Sequence, residues 1–448
     1  MSKKHYPSEV DEYQSRPIPI SGRLGFAQPA WVWSGFGIAF ICAVIGGSIQ
    51  QGLGTWPAII AILIGNVILF IYASALGYAS GKWGMNFPLT VRATFGRAGA
   101  ALPILALALL VTGWYSFHTW LTADIVRVTL NIQSSWLVSG ISVAVGAVYA
   151  APVIFGIKSM ALVRKIAIPA MIVFVIYYLV VKVIPVGGDL FNRQGNGSIS
   201  FWGGVGMAWA TYAVSGTMTG DIVRYVKTGK QAIGVTAVAF LFSNSPFMIL
   251  GALFSAAINN PDIPYFLDTD SIFVLLSISG IAVLSTWSTA DACLYNASMG
   301  LSNSFEKLNW QKAGMTATAF GIFLAATGII SNVANILIII GLVVPPVGAA
   351  IIADYFVQRQ GHGFGKDRVS STNWAAIIAT LAGIATGIGA HILWPEALFG
   401  LPGMTVTAVV YLLLARANYL NLGAEPPTLT ADAEAEPTSS PTQATQRQ

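Results

Sequence analysis

Twelve stretches of about 20 predominantly apolar residues recur along the chain, each long enough to cross a bilayer's hydrocarbon core as a helix. They fall near residues 30–53, 57–80, 101–124, 134–156, 163–185, 200–223, 233–257, 271–300, 314–331, 334–355, 373–392 and 398–417. A soluble fold cannot absorb them. The 448 residues are 55% hydrophobic and only 9% charged, whereas ordinary soluble domains carry about 25% charged residues. Single soluble cores also stop growing near about 250–300 residues. The chain therefore reads as an all-α polytopic membrane protein with 12 transmembrane helices. Residues 1–28 read as a cytoplasmic N-terminal segment, polar and without a cleavable signal peptide. Residues 29–420 read as the transmembrane domain, and the Pro-, Thr- and Ala-rich 421–448 as a disordered cytoplasmic tail.

The basic residues give an orientation. With the N-terminus inside, 20 of the 23 Lys and Arg residues fall on inner segments, and only Arg127, Lys182 and Arg193 fall outside. The loop 258–270 carries Asp262, Asp268 and Asp270 and no base. Positive-inside topology explains this asymmetry. The net charge of +5 thus reflects the membrane and not a nucleic-acid partner. Both termini are expected in the cytoplasm, with the protein in a plasma membrane of the bacterial inner-membrane type. Cys42 and Cys293 lie in apolar runs, which leaves no disulfide framework or zinc pattern.

Two runs look broken. The first contains "SGFGIAF" and "GGSIQQGLG", and the sixth "ATYAVSGTMTGD". Glycine at this density weakens a helix interior, and unwound backbone survives in a membrane only where protein or a watery cavity surrounds it. The sixth run comes five runs after the first, an odd offset, so the second unit is inverted. Paired interrupted helices in inverted halves point to a transporter's midplane binding site.

Polar residues inside these runs are expensive and therefore informative. Asp124 ends the third run, Asp221 stands three residues before Arg224, and Asp354 ends the tenth near the inner surface. Asp291 lies within the eighth, where it can carry a proton, shape an ion site or lock helix packing. In "STWSTADACLYNAS", Ser285, Ser288 and Thr289 put three oxygens on one helical face, a carbonyl and two hydroxyls. They can serve a small hard cation together with carbonyls of the unwound first helix, or the hydroxyls can bond back to the preceding turn. Trp114 on helix three and Tyr212 in the broken helix six can hold a flat heterocycle between their rings. His118, one turn past Trp114, can hydrogen-bond a ligand or titrate. Pro345 and Pro346 remove backbone donors from helix ten and predict a gate hinge in its outer half.

Several stretches are similar to a known family. "GDIVRYVKTGKQA", "TWSTADACLYNASMGLSN", "VVPPVGAAIIADYFVQR", "GNVILFIYASALGYASGKWGMNFPLTVRATFGRAG" and "GWYSF" resemble the bacterial cytosine permeases of nucleobase–cation symporter family 1, over about 17–414. The resemblance implies a LeuT-like fold: two inverted five-helix repeats, near 30–185 and 200–355, plus two extra helices near 373–417. It implies alternating-access import of a nucleobase or related small heterocycle, such as cytosine, coupled to a cation, sodium in the first place. Trp114 and Tyr212 would then sandwich the ring, and main-chain groups near Val111 and Val214 would face its edge. Sodium would be held by the carbonyls of Phe36, Ala39 and Ser285 and the hydroxyls of Ser288 and Thr289. Cytosine permeases tend to carry Asn where this chain has Ser285 and Ala290, and Ser where it has Thr211 and Val214. Losing groups that pair with a base argues for a different or less polar ring: another pyrimidine, a purine, a hydantoin-like ring or a vitamin precursor. Proton coupling is the alternative mechanism. A channel lacks its repeated polar ring here. An enzyme lacks its motif, since no H-E-x-x-H or P-loop occurs. The expected partners are thus a heterocycle, a cation and lipid, with no cofactor.

Overall fold

The first apolar run does not form one helix. The computed structural model describes residues 16–155, 157–258, 271–305, 308–362, 372–395 and 400–422. The start of the N-terminal segment, most of the acidic loop 258–270 and the tail beyond 422 lie outside the described residues. Within them, α1 (Ala27–Gly37) and α2 (Phe40–Leu53) meet at a 48° bend, with Ala39 extended (φ −110°, ψ 138°). Gly37 is packed hard against the π-helical segment Val238–Asn244. A Cβ there would stand 2.7 Å from the Asn244 nitrogen and 2.8 Å from the Ala239 carbonyl. Only glycine permits that approach.

The chain continues through α3 (Thr55–Trp83), α4 (Phe87–Phe95), α5 (Ala101–Thr129), α6 (Ser135–Phe155) and α7 (Ile157–Tyr178). The sixth run is in three pieces, α8 (Phe201–Ala210), α9 (Ala213–Thr217) and α10 (Gly220–Val223). Then come α11 (Gly229–Ala237), the π segment, α12 (Ser245–Ile258), α13 (Ile272–Ser304), α14 (Trp310–Thr327) and α15 (Val333–Ile352). A second π segment, Ala353–Gln358, precedes α16 (Trp374–Leu393) and α17 (Leu401–Leu422). Every expected run carries helix. By length and hydropathy, however, seven of the described helical stretches can cross a membrane unaided, or eight with the bent pair α1–α2. The sixth run is too fragmented to qualify, the described parts of the fourth and twelfth are short, and the ninth, α14, does not qualify either.

Two packing groups organise the helices. In one, α2 lies on α12 while α3 runs against α8 and α11. Gly46 and Gly251 let α2 and α12 touch backbone to backbone: a Cβ on either would strike the carbonyl of Met248 or Ala43. In the other group α5 lies along α13, and α6 along α14. There Thr122 bonds Thr286 at 2.7 Å and Thr129 bonds Ser279 at 2.7 Å. These inter-helix hydroxyl bonds satisfy groups that lipid cannot.

The short helix α4 is invisible to a search for apolar runs. Asn86 caps it by accepting the Leu89 amide at 3.0 Å, with Pro88 in its first turn. Asp221 reaches its N-terminus as well, accepting the Phe87 amide at 2.8 Å. At its other end the Ala93 carbonyl accepts Arg359 (3.0 Å), and the Thr94 carbonyl accepts the Asn373 side chain (2.8 Å). Asp354, at the end of the tenth run, is 2% exposed and holds this end together. It accepts the Thr94 hydroxyl (2.9 Å), the Tyr411 hydroxyl (2.8 Å) and Arg359 (3.1 Å). A carboxylate at a run's end looks solvated in sequence because its partners come from distant segments.

Helix ten also differs from expectation. α15 runs through Pro345 and Pro346 without a break. The two prolines lie past its midpoint toward the expected inner end, and the Pro346 ring packs beside Gly403 of α17. The packed neighbours keep the helix continuous where isolated proline chemistry predicts an interruption.

Candidate functional site

The break in the first run and the face of α13 meet. Phe40 is the first residue of α2, and its amide has no partner inside its own helix, as holds for any helix start. That amide donates to the Ser285 hydroxyl oxygen at 3.1 Å, and Ser285 is 1% exposed. Ser285 therefore caps α2 from another helix with one acceptor lone pair, and its own O–H remains to donate. Its carbonyl accepts the Ser288 hydroxyl at 2.9 Å and the Thr289 hydroxyl at 3.2 Å. Both hydroxyls thus bond back to the preceding turn while sharing one buried face with Ser285. A hydroxyl that donates its proton keeps acceptor lone pairs, so back-bonding leaves the oxygens usable by a cation.

Across the break, Phe36 lies in the last turn of α1, where carbonyls lack intrahelical donors and the helix dipole is negative. The Phe36 carbonyl accepts the hydroxyl of Tyr212. Tyr212 itself sits at the break between α8 and α9 (φ −123°, ψ 18°), so the two broken runs are joined at their breaks. The same hydroxyl lies 3.3 Å from the Cys42 sulfur, in the first turn of α2. The Ala39 carbonyl accepts the Cys42 amide at 2.9 Å. The structure thus ties Ser285 to the start of α2 just past Ala39, carries Ser288 and Thr289 on the Ser285 carbonyl, and sets Tyr212 against the Phe36 carbonyl.

The aromatic pair is placed on neighbouring elements, since α9 lies against α5. Trp114 is buried on α5, edge-on to Phe117 at 5.9 Å and 6.1 Å from the His118 ring. The Tyr212 ring meets Phe240 at 6.1 Å. His118 is 1% exposed, and its Nδ1 has no hydrogen-bond partner among the described residues. Val111, Val214 and Ala290 are buried. Thr211 bonds back to the Met207 carbonyl at 2.8 Å, so its proton is spent within its own helix and its oxygen can only accept. Asp291 is fully buried one step along α13 from Ala290.

Some expected features lie elsewhere. Asp124 does not end its helix, which continues to Thr129, and it pairs with Arg127 at 2.6 Å. That pair lines a cleft of about 330 Å³ with Trp120, Gln133 and Ser139 at the ends of α5, α6 and α14, beyond His118. Cys42, which counts in sequence only toward absent disulfides, turns out to touch Tyr212. Its one sequence signal is its position three residues past the break. The trio Thr122, Tyr149 and Thr286, bonded within 2.7–2.9 Å, also had no local signal.

With this geometry in view, comparisons with known proteins are informative. Residues 23–414 match the family model described as permease for cytosine/purines, uracil, thiamine and allantoin. The chain is similar to the cytosine permease of Escherichia coli strain K12, 29% identical over 391 residues, covering 85% of this chain and 90% of that protein. It is also similar to a hydantoin permease of Microbacterium maritypicum, 23% identical, covering 83% and 81% of the two chains. Among solved structures it resembles Mhp1, a nucleobase-cation-symport-1 family transporter in a closed conformation with bromovinylhydantoin bound. The TM-score is 0.77 at 20% identity, over 90% of this chain and 95% of that one. That likeness establishes a LeuT-like helical fold.

Proposed function

Because this chain belongs to the membrane permease family for cytosine/purines, uracil, thiamine and allantoin, we propose that it imports a nucleobase or related small heterocycle by sodium-coupled alternating access. One observation carries the reading. The oxygen face of α13 is bonded to the break in the first run through Ser285 and Phe40, at 3.1 Å. A carbonyl-bearing helix end facing buried hydroxyls suits a small hard cation, which prefers oxygen ligands. In this reading Phe36, Ala39 and Ser285 supply carbonyls, and Ser288 and Thr289 supply hydroxyls. Trp114 and Tyr212 supply flat faces for the ring.

The transported ring is proposed to be one other than cytosine. Ser285 accepts the Phe40 amide and Thr211 donates to the Met207 carbonyl, so each offers a ring only its remaining capacity, while Ala290 and Val214 offer no side-chain partner. That leaves the ring edge few fixed partners besides main chain near Val111 and Val214 and His118. A site with few fixed partners discriminates weakly among rings. Proton coupling is the second reading, favoured by the complete burial of Asp291 beside the hydroxyls. Twelve spans in two inverted five-helix repeats are proposed as well. Support comes from the packing: the first run lies on the seventh as the sixth lies on the second. A plasma-membrane location with both termini inside completes the proposal.

The test is uptake of radiolabelled cytosine, uracil, a purine, hydantoin and allantoin into proteoliposomes, in sodium chloride and in choline chloride. Sodium-dependent uptake of at least one ring is expected. Sodium-independent uptake abolished by a protonophore would assign the coupling to protons instead.

A further inference from the structure

The hydroxyl of Tyr212 sits where a coupling device would sit. It donates to the Phe36 carbonyl at the end of α1, and it lies 3.3 Å from the Cys42 sulfur at the start of α2. It therefore spans the break in the first run from a foothold in the break of the sixth. We propose that Tyr212 is a positioning residue that competes with sodium for the Phe36 carbonyl, handing its hydroxyl to Cys42 when the ion binds. This rests on the sodium-symport reading above and adds to it how ion and ring are linked.

The competition follows from charge. A hydroxyl proton on a carbonyl reduces the negative potential that the oxygen shows to a cation, and in a buried setting this is weakly screened. Sodium and the Tyr212 proton thus oppose each other on one oxygen. Cys42 gives the displaced hydroxyl somewhere to go. Thiol sulfur is a weak acceptor, so the exchange is uphill for the hydroxyl, and that cost falls on sodium affinity. Both cysteine and tyrosine are buried, and a hydroxyl with no partner there would cost more still. The exchange also bears on the ring. The hydroxyl is already within reach of both partners, and Tyr212 is anchored by its backbone between α8 and α9, so releasing the Phe36 carbonyl removes one of the two bonds that fix the face a heterocycle would stack on. By linkage, a ring that favours the released face must tighten sodium by the same factor that sodium tightens the ring.

The experiment is a sodium titration of the purified full chain at constant ionic strength, sodium chloride replacing choline chloride. Sodium affinity is read from the ion-dependent rise in melting temperature. Tyr212→Phe keeps the ring and removes the competitor, so its sodium dissociation constant should fall about 5-fold, the size of one net hydrogen bond. Cys42→Ala removes the alternative acceptor and should weaken sodium about 2- to 3-fold by the same accounting. The double variant should match Tyr212→Phe alone, because Cys42 matters only through the hydroxyl. A wild-type response with unchanged or weaker sodium binding in Tyr212→Phe overturns the competition. A Cys42→Ala effect that persists in the Phe background also overturns it. A wild-type chain without any sodium response removes the sodium-symport reading itself.

Discussion

Removing the hydroxyl of Ser285 should loosen the break in the first run. In Ser285→Ala the Phe40 amide keeps its burial but loses its 3.1 Å acceptor. Leaving a buried donor unsatisfied costs about 1–3 kcal/mol. Removing a serine cap costs about 0.5–2 kcal/mol. The two ranges overlap near about 1–2 kcal/mol, which is the expected loss. Ser285 is 1% exposed, so water does not readily replace the hydroxyl. Two measurements check this: thermal unfolding of the full chain, and hydrogen exchange of the peptide covering 38–44. The Phe40 amide should exchange about 10-fold faster, since about 1.4 kcal/mol is one decade. Ser277→Ala is the control, because that hydroxyl is exposed and bonds only within its own helix; it should stay within about 0.5 kcal/mol. Exchange at Phe40 unchanged in a folded Ser285→Ala protein would refute the reasoning.

Other substitutions probe the frame around this junction. Asp354→Asn should cost about 2–4 kcal/mol, because a buried carboxylate with three partners is lost and Arg359 is left behind. Combined with Tyr411→Phe the losses should add to less than their sum, as thermal unfolding of the set will show. Gly46→Ala should destabilise by about 3 kcal/mol, since its methyl would strike the Met248 carbonyl, whereas Gly280→Ala, with open space around it, should be neutral or mildly stabilising. Trp114→Ala should weaken ring transport at least 10-fold in apparent affinity if the indole is a stacking face; unchanged uptake kinetics would remove it from the site. Replacing Pro345 and Pro346 together by Ala should leave uptake kinetics intact, because α15 already runs through both without a break; slowed uptake with ring binding retained would reinstate a hinge there.

Much of the architecture was legible along the chain because membranes impose one-dimensional rules. Hydrocarbon demands long apolar helices. The two broken runs were visible through their glycines, and the structure breaks both of them. The helix α4 was not legible, because it is short and is held by Asp221, Arg359 and Asn373 from three other segments. The burial of Asp354 is illegible for the same reason, since Thr94, Arg359 and Tyr411 come from separate segments. Pro345 and Pro346 announce a bend that the surrounding helices suppress.

At the site the division is sharper. The order of residues 285, 288 and 289 by itself determined that three oxygens share a face, since helical periodicity is local. It also determined that Trp114 and His118 stand one turn apart. Only the tertiary structure decided that the Ser285 hydroxyl faces the Phe40 amide, 245 residues away. It likewise joined Tyr212 to both Phe36 and Cys42. Hydrogen bonds between distant segments leave no period in a sequence, because they depend on which helices a close backbone approach brings together.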